Sequence, residues 1–133
     1  MSDSFEQQDW VKFGVAGALS KQYAADQKQF IEALAQMLEQ ALPQDTQIEK
    51  HGGLFSKKTV RSIAVQLGSA KYKLTVSDNG QIEATVTQVV RGIALKTETI
   101  TTEQWILLLC EALDERLRSN QAAKAAIEKL LGW

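Results

Sequence analysis

Thr59-Val-Arg-Ser-Ile-Ala-Val-Gln-Leu-Gly68, Ser69-Ala-Lys-Tyr-Lys-Leu-Thr-Val-Ser77, Asp78-Asn-Gly80 and Gln81-Ile-Glu-Ala-Thr-Val-Thr-Gln-Val-Val90 follow one another without a break. Apolar residues recur at every second position: Ile63, Val65 and Leu67, then Tyr72, Leu74 and Val76, then Ile82, Ala84 and Val86. Period-2 runs separated by turn residues are the pattern of an antiparallel β-meander.

Matching the apolar faces assigns a register. A two-residue loop at Ser69-Ala70 pairs Leu67 with Tyr72, Val65 with Leu74 and Ile63 with Val76, and sets Arg61 opposite Asp78. For the next turn, Asn79-Gly80 alone would oppose Val76 with Glu83 and mix the faces. A three-residue loop, Asp78-Asn79-Gly80 with Gly80 left-handed, pairs Val76 with Ile82, Leu74 with Ala84 and Tyr72 with Val86 instead. One sheet face is then apolar. The other carries Ser62, Ala64, Gln66, Lys71, Lys73, Thr75, Glu83, Thr85 and Thr87. Beyond Val89 the phase is open. Val90, Ile93 and Leu95 share a face only if Arg91-Gly92 resets the alternation, as a bulge or as a turn into a fifth strand; the turn is the preferred reading.

Outward from the meander, Thr46 to His51 alternates weakly and reads as a short edge strand, with Glu49 and Lys50 discouraging unwanted pairing. Gly52-Gly53 ends it, and Leu54 to Lys58 is a loop with Phe55 beside two lysines. Before it, Phe30, Ile31, Leu34, Met37, Leu38, Ala41 and Leu42 fall at helical spacing, so residues 20–42 read as one amphipathic helix that Pro43 closes. Residues 1–19 are loosely specified: Trp10, Val11, Phe13, Val15 and Leu19 are apolar, but Gly14 and Gly17 interrupt a helix. They read as a segment tucked onto the chain's own core, or else as an arm for a partner.

After the sheet, Thr101 with Gln104 three residues on makes a capping box, and Ile100 with Trp105 a hydrophobic staple. The helix that follows is apolar nearly all round in its first two turns and is expected to be the most buried. Ser119-Asn120 interrupts it, and a last helix from about Gln121 ends at Gly132 before Trp133. The expected fold is therefore α+β: an N-terminal helix, a four- to five-stranded antiparallel meander over 46–99, and two C-terminal helices over 101–131, with the helices on one sheet face. Order and size are similar to those of small acidic bacterial secretion-chaperone-like domains, a likeness of element order that no motif carries.

The chain has 133 residues, 44% of them hydrophobic, which suits one soluble domain able to form a core without staples. One cysteine excludes an internal disulfide framework and fits a reducing compartment. The longest apolar run, Trp105 to Cys110, is far short of the ~20 residues of a membrane span. The opening residues lack the basic-then-apolar order of a signal peptide, so cytoplasm is the expectation. Charge is uneven: residues 1–45 carry three lysines against seven carboxylates, while 46–100 carry eight basic residues against four acids.

Catalytic chemistry finds little purchase. The one histidine, His51, has no Ser-Asp partners in sight, and Cys110 sits in an apolar helix where a thiol is inert. One His and one Cys do not make a zinc site without a carboxylate cluster. The loop from Gly52 to Thr59 is not a phosphate loop, because Lys57 stands where the second glycine is needed and a strand follows instead of a helix. Glu111, Asp114 and Glu115 look like a solvated helix face. No catalytic residue, cofactor or metal ligand is assigned.

What remains is surface. Lys57, Lys58, Lys71, Lys73 and Arg91 form a candidate basic patch, but the wet sheet face offers no aromatic platform and the sequence pI is about 5.8. The preferred function is a non-catalytic protein-interaction or adaptor domain, with homodimerisation a possible form, contacting its partner through Trp10, Phe13, Phe55 and Trp133. The alternatives are nucleic-acid binding through the lysine-bearing face, and a small-ligand domain or enzyme with a pocket between helices and sheet.

Overall fold

The computed structural model describes residues 16–52, 57–118, 125, 128 and 129. Helix α1 occupies residues 16–25, and α2 follows as Gln27–Ala41. The sheet is built from β1 (Thr46–His51), β2 (Thr59–Leu67), β3 (Ala70–Val76), β4 (Ile82–Val90) and β5 (Ile93–Ile100), and α3 (Thr102–Leu117) closes the order. All strand pairs are antiparallel and the spatial order is the sequence order, β1-β2-β3-β4-β5. The fold is α+β with a five-stranded antiparallel sheet. Residues 125, 128 and 129 are helical, and the rest of the expected last helix lies outside the described residues.

The single helix expected over 20–42 is two helices. Asp26 has an extended backbone (φ −158) and its carboxylate accepts from the backbone N–H of Gln29 at 3.1 Å, so it caps α2 instead of continuing α1. An aspartate capping the N–H three residues on is a standard helix start, which the apolar spacing from Phe30 onward does not reveal. The stripe itself is confirmed: Phe30, Ile31, Leu34, Met37, Leu38 and Ala41 are all buried. The helix also stops where Pro43 requires, with Leu42 as its C-cap.

The β3–β4 register is the expected one, Val76 with Ile82, Leu74 with Ala84 and Tyr72 with Val86. Its loop is the expected three-residue turn. Ser77 N–H donates to the Gln81 carbonyl, Gly80 N–H donates to the Ser77 carbonyl, both at 2.9 Å, and Gly80 stands at φ 83. The β2–β3 register differs. Leu67 pairs with Ala70, Val65 with Tyr72 and Ile63 with Leu74, two residues from the expected register. The turn is Gly68-Ser69, with Gly68 at φ 61, because glycine enters that conformation without a Cβ clash. A shift of two keeps every side chain on its face, so face matching alone did not separate the two registers. Arg61 still reaches Asp78 as an ion pair, diagonally from strand to loop.

The core joins α1, α2, the sheet and α3. Ile63, Val65, Leu67, Tyr72, Leu74 and Ala84 are buried with Phe30, Leu34 and Leu38 from α2 and Trp105, Ile106, Leu109 and Leu113 from α3. α2 lies against β1 and β2, and α3 against β4 and β2. Trp105 is fully buried; its Nε1–H donates to the Thr85 carbonyl at 3.1 Å and its ring meets Tyr72 edge-on at 6.4 Å. The capping box of α3 is present in both directions, Gln104 N–H to Thr101 Oγ1 at 3.1 Å and Thr101 N–H to Gln104 Oε1 at 3.4 Å. Val60 also turns inward, since a bulge at Arg61 shifts β1–β2 pairing from Glu49–Ser62 to Lys50–Val60. Its N–H donates to Glu32 of α2 at 3.1 Å.

Candidate interaction surface

The β4–β5 hairpin outgrows its neighbour. β3 pairs with β4 only as far as Ala70–Gln88, with one more bond from Val89 N–H to the Ser69 carbonyl at 2.8 Å. Val90, Arg91, Gly92 and Ile93 continue past that point. The turn is Arg91-Gly92, with φ 53 and φ 80, and Val90 pairs directly with Ile93. Two left-handed residues are the signature of the tight hairpin whose twist matches the strands. A separate bulge at Leu95 shifts pairing between Gln88–Lys96 and Val89–Ala94. Turn and bulge are both present, a few residues apart.

This geometry leaves apolar side chains in water. Val90 is 48% exposed, Ile93 64% and Leu95 62%. All of β5 except its last residue, Ile100, is exposed, and β5 is the terminal strand of the sheet. On α3, Leu107 and Leu108 are also open, at 47% and 41%. The first two turns of α3, expected to belong to the most buried helix, are thus apolar nearly all round without being covered all round. Its buried side includes Trp105, Ile106, Leu109, Cys110, Leu113 and Leu117, and Leu107 and Leu108 lie off it.

The polar part of β5 is ordered by its own pairings. Lys96 Nζ lies 2.8 Å from Glu98 Oε1. Their mutual hydrogen bond and charge raise the lysine pKa and lower that of the glutamate. On the next register position, Thr97 Oγ1 and Thr87 Oγ1 are 2.8 Å apart across the β4–β5 pair.

The contact residues expected from sequence, Trp10, Phe13, Phe55 and Trp133, lie outside the described residues. Of the basic patch, Lys71 and Lys73 stand at alternate positions of β3 and so share a face. Lys57 and Lys58 are exposed at the start of β2, whereas Arg91 is exposed at the hairpin turn by the other end of the sheet. The nine residues of β2 separate those ends by ~30 Å. The structure brings the two β3 lysines together and leaves the other three apart from them.

Other chemistry is placed as follows. His51 is exposed and 3.1 Å from Glu49 Oε1. Cys110 is buried, and burial followed by the charge of Glu111 pushes its thiol up to about 12. The same two causes raise Tyr72. Asp114, expected on a solvated face, is buried and held by Arg118 at 3.0 Å; Arg116 pairs with Asp45 at 2.7 Å. No cluster of three or more metal-binding side chains occurs among the described residues. A cleft of about 240 Å³ lies between α2 and the β3–β4 loop, but Arg61 and Asp78 on its wall pair with each other and Glu32 is engaged by Val60. A wider groove of about 680 Å³ runs between α3 and the Gly68-Ser69 turn, lined by Tyr72, Leu108, Glu111, Glu115 and Arg116. None of the described helices is long and apolar enough to cross a membrane.

Neither Val90, Ile93 and Leu95 nor Leu107 and Leu108 was singled out as a contact site from sequence. The first three had an available signal. A turn at Arg91-Gly92 gives β4 nine residues beside seven in β3, so the end of β4 must project. No family model, curated protein or solved structure matches the chain.

Proposed function

We propose that the chain is a non-catalytic protein-interaction module, an adaptor and not an enzyme, with its helices on one sheet face and its contact surface on the β4–β5 hairpin. One observation carries this reading: Val90, Ile93 and Leu95 are gathered on a projecting hairpin and each is about half exposed or more. Single exposed apolar residues are ordinary, whereas a group of them on a protruding element is a contact signal. Fully burying a side chain of this class is worth about 1.5–3 kcal/mol, so covering three of them would drive a useful association. Leu107 and Leu108 are a second pair of open apolar residues, on α3.

The alternatives have less support. A nucleic-acid reading rests on Lys71 and Lys73 alone, because Lys57, Lys58 and Arg91 are distributed to the ends of the sheet. A pocket-based activity has a small cleft whose facing charges already pair with one another, and a wider groove whose Arg116 is already engaged by Asp45.

The test is photo-crosslinking in cells from a probe side chain placed at position 93, with the exposed Glu39 of α2 as the control position. A discrete protein adduct from position 93, absent from position 39, is the expected result. No adduct from 93, or the same adducts from both positions, would overturn the reading.

A further inference from the structure

We infer that the partner of the β4–β5 hairpin is a second copy of this chain, joined through an antiparallel β5–β5 pairing whose two-fold axis passes through Thr97. This rests on the reading of that hairpin as a contact surface, and adds to it a partner and a register.

The edge comes first. β5 is the last strand of the sheet, eight residues long, and no described element pairs with its outer side. Such an edge presents a row of unpaired N–H and C=O groups, a template for another strand. A two-fold axis normal to the sheet joins two identical edges antiparallel, without ends left over.

The register then follows from alternation. Directly opposed residues of an antiparallel pair share a face, so residues opposed across such an axis are those equally far from the residue on it. β5 spans Ile93–Ile100 with its bulge at Leu95, so an axis that uses most of the strand passes through Lys96, Thr97 or Glu98, whereas one through Thr99 or Ile100 runs into the start of α3. An axis through Lys96 opposes two lysines, and an axis through Glu98 opposes two glutamates. Like charges directly opposite one another disfavour pairing. An axis through Thr97 sets Lys96 of each copy against Glu98 of the other, twice over. It also sets Thr97 against Thr97 and Leu95 against Thr99.

Lys96 and Glu98 already attract each other within one copy at 2.8 Å, so the axis through Thr97 closes a ring of four alternating charges. A lysine on an exposed edge strand usually repels other strands. Here Lys96 rejects one register, Glu98 rejects another, and the two together favour the third. Past the charged pairs, Leu95 and Ile93 of each copy run alongside Thr99 to Thr101 of the other, where α3 begins, so apolar surface that is open in one copy meets the second.

The experiment uses the full chain in sedimentation equilibrium and light scattering across micromolar concentrations. The wild type is expected to be a dimer that weakens as salt is raised. Glu98→Lys opposes four lysines and is expected to raise the dimer dissociation constant by at least about tenfold. The double exchange, Lys96→Glu with Glu98→Lys, restores opposite charges and is expected to restore the dimer. Both positions are exposed, and circular dichroism confirms that each variant is folded.

A monomeric wild type overturns this inference and leaves the proposed function standing if position 93 still crosslinks to a different protein. A dimer indifferent to Glu98→Lys overturns the register, as does one that the double exchange fails to restore. Absence of both dimer and adduct overturns the two readings together.

Discussion

β4 belongs to two hairpins with opposite fates. Toward β3 its apolar residues, Ile82, Ala84 and Val86, meet Val76, Leu74 and Tyr72, and all six lie in the core or pack against it. Toward β5 and past Gln88, Val90 meets Ile93 and both stand in water. The residue types are alike and so is the pairing. The difference is what lies above them: α3 packs on β4, with Trp105 bonded to the Thr85 carbonyl, whereas Val90 is left 48% exposed. Alternation decides which side of a strand is apolar. Coverage decides whether that side is buried or left in water.

The contrast is best broken at its buried end. Trp105→Ala removes a fully buried ring, its bond to Thr85 and its edge contact with Tyr72, and is expected to cost about 3–5 kcal/mol in urea denaturation. Leu74→Ala and Ile93→Ala then make a matched pair across the two hairpins. The first is expected to cost about 2–5 kcal/mol and the second at most about 0.5 kcal/mol, measured with the protein dilute enough to exclude association. Equal costs would mean that Ile93 is covered in solution.

A smaller effect comes from the joint between the exposed edge and the core. Thr101→Ala takes away the cap that starts α3 directly after β5, and about 1 kcal/mol of stability should go with it. Below that, Arg91→Asn eases a left-handed position at the hairpin tip and should raise the melting point slightly, by up to about 1 kcal/mol of stability.

Cys110 supplies a pH test of burial. Its folded pKa is raised above the ordinary 9.0 to about 12, so the thiol's burial has its full stabilising effect below pH 9.0 and loses it as pH rises toward 12. The stability advantage of wild type over Cys110→Ala should therefore shrink over that window, as followed by urea midpoints at stepped pH. Tyr72 titrates in both proteins and drops out of the difference.

Much of the fold was legible because its signals are local. The Asp78-Asn79-Gly80 loop required a residue tolerant of φ 83, and only glycine there fits without strain. Thr101 and Gln104 satisfy each other's neighbouring N–H groups whatever the rest of the chain does. Local chemistry misled where two local answers were equivalent: Gly68-Ser69 and Ser69-Ala70 both keep the apolar faces matched, and the left-handed preference of Gly68 breaks the tie. At Asp26 the cap was overlooked, because apolar spacing that begins at Phe30 shows that a helix is present but not where it starts.

The exposed apolar surface was less legible, for a physical reason. Leu107 and Leu108 have the same hydrophobicity as Leu109 in the same run, yet only Leu109 is buried. Val90, Ile93 and Leu95 are indistinguishable in composition from Ile63, Val65 and Leu67. Sequence by itself determined the strands, two of the turns, the capped start of α3 and the self-complementary order of Lys96, Thr97 and Glu98, since each depends on neighbours a few residues away. Tertiary structure alone decided which apolar groups remain in water, because burial depends on where distant helices end, and a hairpin longer than its cover exposes whatever it carries.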